Sequence, residues 1–274
     1  MRIVIPTHQR VLKQLTLANL PAVLRPEVLL VASSEDEAEQ LRRHHCGKDT
    51  LKPKNVLVAP VNSIADKRQW ILENVKSDVF MLDDDMDFYR RAPLAMRRFD
   101  GRWKPLPGYM GLSKSYADRD ELARLFGALE RMLLDDIGAV GISSRFGNDL
   151  EEAEWRQDAN RLMHAFGYRR KTLLKLGFKF NAVRFREDFH MALTLYRHGF
   201  SSYQAYDWCV APGAYGAPGG CSEERTVVAS DAAAHELARI HAPFVKVVDK
   251  EYKGNPRKEV VVSWKRALAA GRGE

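Results

Sequence analysis

Residues 77–89 read S-D-V-F-M-L-D-D-D-M-D-F-Y, and the fold turns on this stretch. Val79, Phe80, Met81 and Leu82 form a short apolar run that suits a strand buried on both faces. The run stops at Asp83, Asp84 and Asp85, with Asp87 just beyond. Carboxylates this close repel one another unless positive charge lies between them, and hard divalent cations held through oxygen are a common solution. In open α/β sheets the carboxyl end of a strand is also where ligands bind. The stretch therefore predicts a Mg2+ or Mn2+ site that holds a phosphorylated substrate. A solvated acidic turn after an edge strand is the competing reading.

Upstream, three more apolar runs alternate with helical patterns. Arg2 to Pro6 reads as a strand followed by the polar loop Thr7 to Arg10, and a helical pattern runs through Leu12, Leu15, Leu17 and Leu20. Val28 to Ala32 and Asn55 to Ala59 read as strands. The helix between them is capped by Ser33 or Ser34, with Glu35, Asp36 and Glu37 in its first turn where the helix dipole favours acids. Ser63 to Val75 reads as a further helix. This alternation predicts a parallel sheet covered by helices on both faces, with the loop after the first strand and the aspartates on one edge.

Downstream the pattern loosens. Met86 to Tyr116 reads as an irregular insertion in which Arg90, Arg91, Arg97, Arg98, Arg102 and Lys104 are interleaved with Phe88, Tyr89, Phe99, Trp103 and Tyr109. Such a mixture suits a surface that grips phosphates and stacks on bases; solvated arginines over packed aromatics are the alternative. Asp118 to Leu134 is an amphipathic helix and Ala139 to Ile142 a buried strand. Asn148 to Asp158 reads as a mobile loop, Arg161 to Tyr168 as a strand, and Arg169 to Leu176 as a helix stopped at Gly177. Arg186 to His198 opens a helix that Gly199 ends, and Ser201 to Val210 reads as a strand. A Gly- and Pro-rich loop, a helix over Asp231 to Ile240 and a basic tail from Lys246 to Arg272 follow.

The 274 residues, 45% hydrophobic and 29% charged, suit one large domain. No apolar run is long enough to span a bilayer, so cytoplasmic residence is expected. Cys46, Cys209 and Cys221 lack metal-binding spacing and read as structural thiols. The net charge of +7 is compatible with a polyanionic partner such as nucleic acid.

A second acidic feature, Glu187 and Asp188, opens a helix. A carboxylate there is held ionised, as a general base requires; helix capping is the competing reading and the preferred one for the pair taken alone, and the metal-type cluster upstream is what brings in the base. The I-V-I-P-T start, the I-A-D-K-R-Q-W-I segment at 64–71, the strand ending in M-L-D-D-D and the later R-E-D-F together resemble glycosyltransferases of the GT-A fold. The resemblance spans roughly residues 2–200. It implies a Rossmann-like αβα sandwich, with a nucleotide-sugar half up to residue 90 and an acceptor half and C-terminal extension from 91 to 274.

The resemblance also implies roles. Asp83 would lie near the ribose or the cation, Asp85 would ligate the cation, and Asp84 is a second candidate. Asp188 would be the base, with Glu187 beside it contacting the acceptor. Pro6, Thr7 and Arg10 would border the base of the donor, and Lys67 and Arg68 would approach that base or the diphosphate, a surface charge being the other reading and the preferred one for Lys67. His235 and His241 are candidates for a further metal ligand.

Gly219 to Thr226, G-G-C-S-E-E-R-T, is similar to a loop of phage-encoded glycosyltransferases that decorate hydroxymethylated pyrimidines in DNA, which would place the chain in the host cytoplasm. The resulting expectation is a cation-dependent hexosyl- or pentosyltransferase, with a UDP-sugar as donor and a hydroxymethylated base in DNA as acceptor. A glycan or small-molecule acceptor, a nucleotidyltransferase and a non-catalytic nucleic-acid-binding protein are the alternatives. The loop after the first strand has no glycine, which counts against the nucleotidyltransferase.

Overall fold

The computed structural model describes residues 1–48, 50–111, 116–146, 148–212, 226–252 and 255–274. The first half alternates as the apolar pattern requires: β1 (Arg2–Pro6), α1 (Leu15–Asn19), β2 (Leu29–Ala32), α2 (Glu35–His45), β3 (Val56–Val58), α3 (Ile64–Asn74) and β4 (Val79–Leu82). The Ser34 side chain caps α2 and Ser63 caps α3, each accepting a hydrogen bond from the amide three residues on. α1 is a single short helix that begins only at Leu15 and leaves residues 7–14 as a loop.

The second half holds β5 (Met86–Phe99), β6 (Arg102–Gly111), α4 (Tyr116–Met132), β7 (Ile137–Ser144), β8 (Trp155–Asp158), β9 (Ala165–Tyr168), α5 (Arg170–Lys175), α6 (Glu187–Arg197) and β10 (Ser201–Pro212). The last elements are α7 (Val227–Ile240), β11 (Val245–Tyr252), β12 (Asn255–Val262) and α8 (Trp264–Arg272).

Ten strands form one sheet in the order β3-β2-β1-β4-β9-β7-β10-β5-β6, with β8 added against β10. β3, β2, β1 and β4 run parallel, and β9 is inserted antiparallel between β4 and β7. The α/β sandwich expected from the alternation is therefore present. Because successive strand residues point to opposite faces, β4 divides its side chains between two cores. Phe80 and Leu82 join Leu17, Leu41, Leu122 and Phe126 under α1, α2 and α4. Val79 and Met81 join Ile71, Leu72, Leu173, Met191 and Leu195 under α3, α5 and α6. The Phe80 and Phe126 rings meet edge to face at 5.3 Å; truncating a fully buried ring such as Phe80 costs about 3–5 kcal/mol.

Three expectations need correction. The supposedly irregular stretch from Met86 is a long antiparallel ribbon, β5 with β6, closed by Asp100 and Gly101. Both turn residues have positive φ, 51° and 76°, the two-residue turn that an Asp-Gly pair favours because its twist matches the strands. The segment 148–158 is not simply a loop: it contains a 3-10 turn at 148–150 and β8, which pairs with Ser202 to Ala205. The basic tail is folded. β11 and β12 form a hairpin, and α8 buries Ala267 and Leu268 in a third core shared with α6 and α7. Much of its charge is paired internally, Arg257 with Glu259, Lys258 with Asp249 and Lys265 with Asp158.

Among the described residues no helix is long and apolar enough to cross a membrane. Cys46 and Cys209 are free thiols, and Cys209 is buried.

Candidate functional site

The carboxyl ends of β1, β2 and β4 share one edge of the sheet because the three strands are parallel. β9 runs the other way, so the residue preceding it, His164, lies on that edge too: Leu82 pairs with Ala165, and the Asp83 amide donates to the His164 carbonyl at 2.9 Å.

The three aspartates behave differently. Asp84 is buried, and it accepts hydrogen bonds from Thr7 Oγ1 at 2.9 Å and from Arg10 at 2.7 Å. Burial pushes its carboxyl up to about 6 despite those partners. The side chains on either side stay partly open, Asp83 at 28% and Asp85 at 26% exposure. Arg10 bridges Asp84 and Asp85, with its Nη1 2.7 Å from an oxygen of each. Asp83 is held from the opposite side by Arg68 at 2.8 Å and by His164 Nδ1 at 2.8 Å. Burial alone would raise the Asp83 pKa, but the His164 hydrogen bond and the Arg68 charge hold it at about 2.

Both basic residues of α3 point inward, which removes the surface-charge reading. Lys67 is 1% exposed; its ammonium donates to the Thr7 carbonyl and to Ser33 Oγ at 2.7 Å, fastening the loop after β1 to the end of β2. Buried Arg68 joins Asp83 to Glu187 Oε1, 2.7 Å away, and lies 5.2 Å from the Phe166 ring centre. Glu187 is thus a buried ion-pair partner at the start of α6. Asp188 is half-buried, and its charge reaches Arg161 and His164. Burial opposes protonation of His164, yet the hydrogen bond and charge of Asp83, with Asp188 as a further negative neighbour, raise its pKa above that of a free imidazole.

Three non-glycine residues around this edge hold a left-handed backbone: Gln9 at φ 56°, His164 at 62° and Phe185 at 60°. Such residues cost on the order of 1–3 kcal/mol each and persist only where the surroundings impose them.

Two cavities flank the loop after β1. One of about 650 Å³ has mostly polar residues in its lining: residues 8–13 with Ser33, Ser34, Asp36, Glu37, Gln40 and Asn62. The other, about 620 Å³, is more apolar; Leu12, Leu15, Leu17 and Leu51 line it, and Asp85 stands in its wall. Arg10 lines both. Glu37 shapes the first by accepting from the Gln9 and Ser33 amides, each at 2.7 Å. Pro6 is buried within β1 and lines neither cavity, and the Thr7 hydroxyl is already engaged by Asp84 and Gln14.

At the end of β4 the structure brings Thr7, Arg10, Asp84 and Asp85 into one hydrogen-bonded group and Asp83, Arg68 and Glu187 into a second. His235 is exposed on α7. His241 is buried, and its contacts are with His190 at 2.7 Å and Arg197 at 3.3 Å rather than with the aspartates. The histidine on Asp83 is His164, which sequence reading passed over. No local signal marks it, since its place comes from the antiparallel register of β9. Of the loop Gly219 to Thr226, residues 219–225 lie outside the described residues, and Thr226 caps α7.

Among the described residues no group of three or more His, Cys, Asp or Glu side chains forms a ready cage for a metal ion. Two partly open carboxylates on one strand end nonetheless fit a Mg2+ or Mn2+ ion whose remaining ligands are substrate phosphates and water, the usual arrangement for Mg2+ at phosphate-binding sites.

A model of the family described as TET-Associated Glycosyltransferase matches residues 1–219. No curated protein matches the sequence. Similar solved structures include the crystal structure of GalNAc-T7 with UDP, GalNAc and Mn2+, at 11% identity and a TM-score of 0.44, over 87% of this chain and 48% of that one. The chain thus spans about half the length of that protein.

Proposed function

Because the chain belongs to the TET-associated glycosyltransferase family, we propose that it transfers a sugar from a nucleotide diphosphate, a UDP-sugar being the first to try, to a hydroxyl on a hydroxymethylated pyrimidine in DNA. The TET association in the family description supports a modified DNA base as acceptor.

The observation that carries the reading is the group of carboxylates at the end of β4, with the middle one buried and the outer two partly open, Asp85 beside Arg10 and Asp83 beside Arg68. The polar cavity on the far side of Arg10 suits a base and ribose, and Arg10, facing both cavities, suits the diphosphate between them. A divalent cation held by Asp83 and Asp85 would offset the charge on the departing diphosphate. Asp188 acts as general base. It takes the proton of the acceptor hydroxyl as that oxygen bonds to the anomeric carbon, while the bond from that carbon to the diphosphate oxygen breaks and the diphosphate leaves with the electron pair. Arg68 and His164 orient Asp83, and Arg68 in turn fixes Glu187 at the start of the helix that carries Asp188.

The test is incubation of the chain with Mn2+, a mixed pool of nucleotide sugars and DNA containing hydroxymethylated cytosine, followed by mass spectrometry of the nucleosides. The expected result is a hexose or pentose increment on the modified base. Nucleotide release without any increment on DNA would move the acceptor to a glycan or small molecule. No turnover of any donor would remove the transferase.

A further inference from the structure

The ribbon of β5 and β6 leaves the sheet beyond Arg90, the last β5 residue paired with β10. From Arg91 to Phe99 it reaches about 27 Å at ~3.4 Å per residue. Its two faces differ. The cross-strand pairs Arg97 with Lys104 and Phe99 with Arg102 share one face. That face is tied to the segment 149–152 by ion pairs from Arg97 to Asp149 and from Lys104 to Glu152. The pairs Leu94 with Pro107, Met96 with Pro105 and Arg98 with Trp103 share the other. On it Leu94, Met96 and Trp103 are 66%, 60% and 69% exposed.

Large apolar side chains grouped in the open mark an interaction surface. Charge identifies the partner. Beyond Asp87 the two strands and their turn carry Arg90, Arg91, Arg97, Arg98, Arg102 and Lys104 against the single acid Asp100. Arg98, the cross-strand partner of Trp103 on the exposed face, has no acidic partner among the described residues. A two-stranded ribbon fits the DNA major groove, which is roughly 12 Å wide, and apolar and aromatic side chains beside arginine suit contact with base edges and stacking. β5 starts at Met86, the residue after Asp85, so the ribbon is continuous in the chain with the acidic edge.

We propose that this exposed face of the ribbon docks duplex DNA, with Arg98 on a phosphate and Leu94, Met96 and Trp103 against the groove. The inference rests on the DNA-acceptor reading and names the surface that holds that acceptor.

The experiment measures binding of the full chain to a hydroxymethylated duplex of about 20 base pairs by fluorescence anisotropy, over roughly 50–200 mM salt. R98A and W103A are compared with the unaltered chain, and hydrolysis of the donor without DNA is followed in parallel. R98A is expected to reduce the slope of log affinity against log salt by about 0.9, the loss of one phosphate contact. W103A is expected to weaken binding by about 5-fold or more with the slope unchanged, the loss of one aromatic anchor at the interface. Donor hydrolysis in the absence of DNA stays the same in both variants.

Unchanged affinity and slope in both variants, with DNA still glycosylated, overturns the inference and leaves the acceptor reading intact. Donor turnover without DNA binding by any form removes the acceptor and the ribbon's partner together. A concentration-dependent dimer in sedimentation that W103A dissolves while DNA affinity holds would assign the face to a second copy of the chain, and would likewise overturn the inference.

Discussion

His164 Nδ1 lies 2.8 Å from Asp83 Oδ2, joining the loop before an antiparallel strand to the aspartate that ends a parallel one. The pair exists because Leu82 and Ala165 are in register, which sets the residue after one beside the residue before the other. It places a titratable cation on an outer carboxylate of the candidate site.

The sign of its pH effect follows. The folded His164 pKa lies above its ordinary value of 6.5, so its stabilisation is complete below that pH and is lost as pH rises through the folded value. Raising the pH from 6 to 8 is therefore expected to lower the melting temperature more in the unaltered chain than in His164→Gln. Thermal denaturation at the two pH values checks this. Equal drops in both proteins would mean that His164 does not titrate with the fold.

Arg68 bridges two carboxylates in a buried setting. Arg68→Ala leaves Glu187 as an uncompensated buried charge and is expected to cost about 3–5 kcal/mol in urea unfolding. Arg68→Met combined with Glu187→Leu removes both charges and should recover most of that loss. A double variant as unstable as the single one would show that lost packing, rather than stranded charge, sets the effect.

The outer and middle aspartates should separate by readout. Asp85→Asn is expected to leave the fold intact and weaken joint binding of Mn2+ and UDP by ~10-fold or more, the scale of losing one of few metal ligands. Asp84→Asn should instead lower stability, because the buried side chain anchors Thr7 and Arg10. With only two open carboxylates, Mn2+ without nucleotide is expected to bind far more weakly than Mn2+ with it. Calorimetry with and without UDP tests all three statements, and tight binding of Mn2+ alone would contradict the shared-ligand arrangement.

His190 and His241 predict acid lability. Burial lowers His190 to about 4, and burial together with the charge of a protonated His190 lowers His241 to about 3. Between pH 6.5 and about 4 the unfolded imidazoles bind protons that the folded pair refuses, so stability falls as pH falls through this window. The urea midpoint should drop between pH 7 and pH 5, and His241→Asn should flatten the drop.

The turn of the ribbon gives a local test. At φ 76° Gly101 occupies a left-handed position, so Gly101→Val is expected to destabilise the ribbon by about 1–2 kcal/mol. Hydrogen exchange in β5 and β6 should report the change while α3 and β4 stay protected.

Much of the scaffold was legible locally. Continuous apolar runs marked β1 to β4, since each of these strands fills a core on both faces, and a serine cap with acids in the first turn marked α2 as an apolar face marked α3. Asp100-Gly101 was an equally local signal for the ribbon and was missed because basic and aromatic residues on both sides hid the alternation. β8 escaped because its charged residues, paired at the sheet, resemble those of a loop.

The chain's own order of residues determined the strand that ends in Asp83, Asp84 and Asp85 and the edge to which those carboxylates belong. Only the folded state decided which are open, that Lys67 and Arg68 turn inward, and that His164 rather than His235 or His241 stands on Asp83. Those outcomes depend on burial and on pairing between residues far apart in the chain, and local periodicity carries neither.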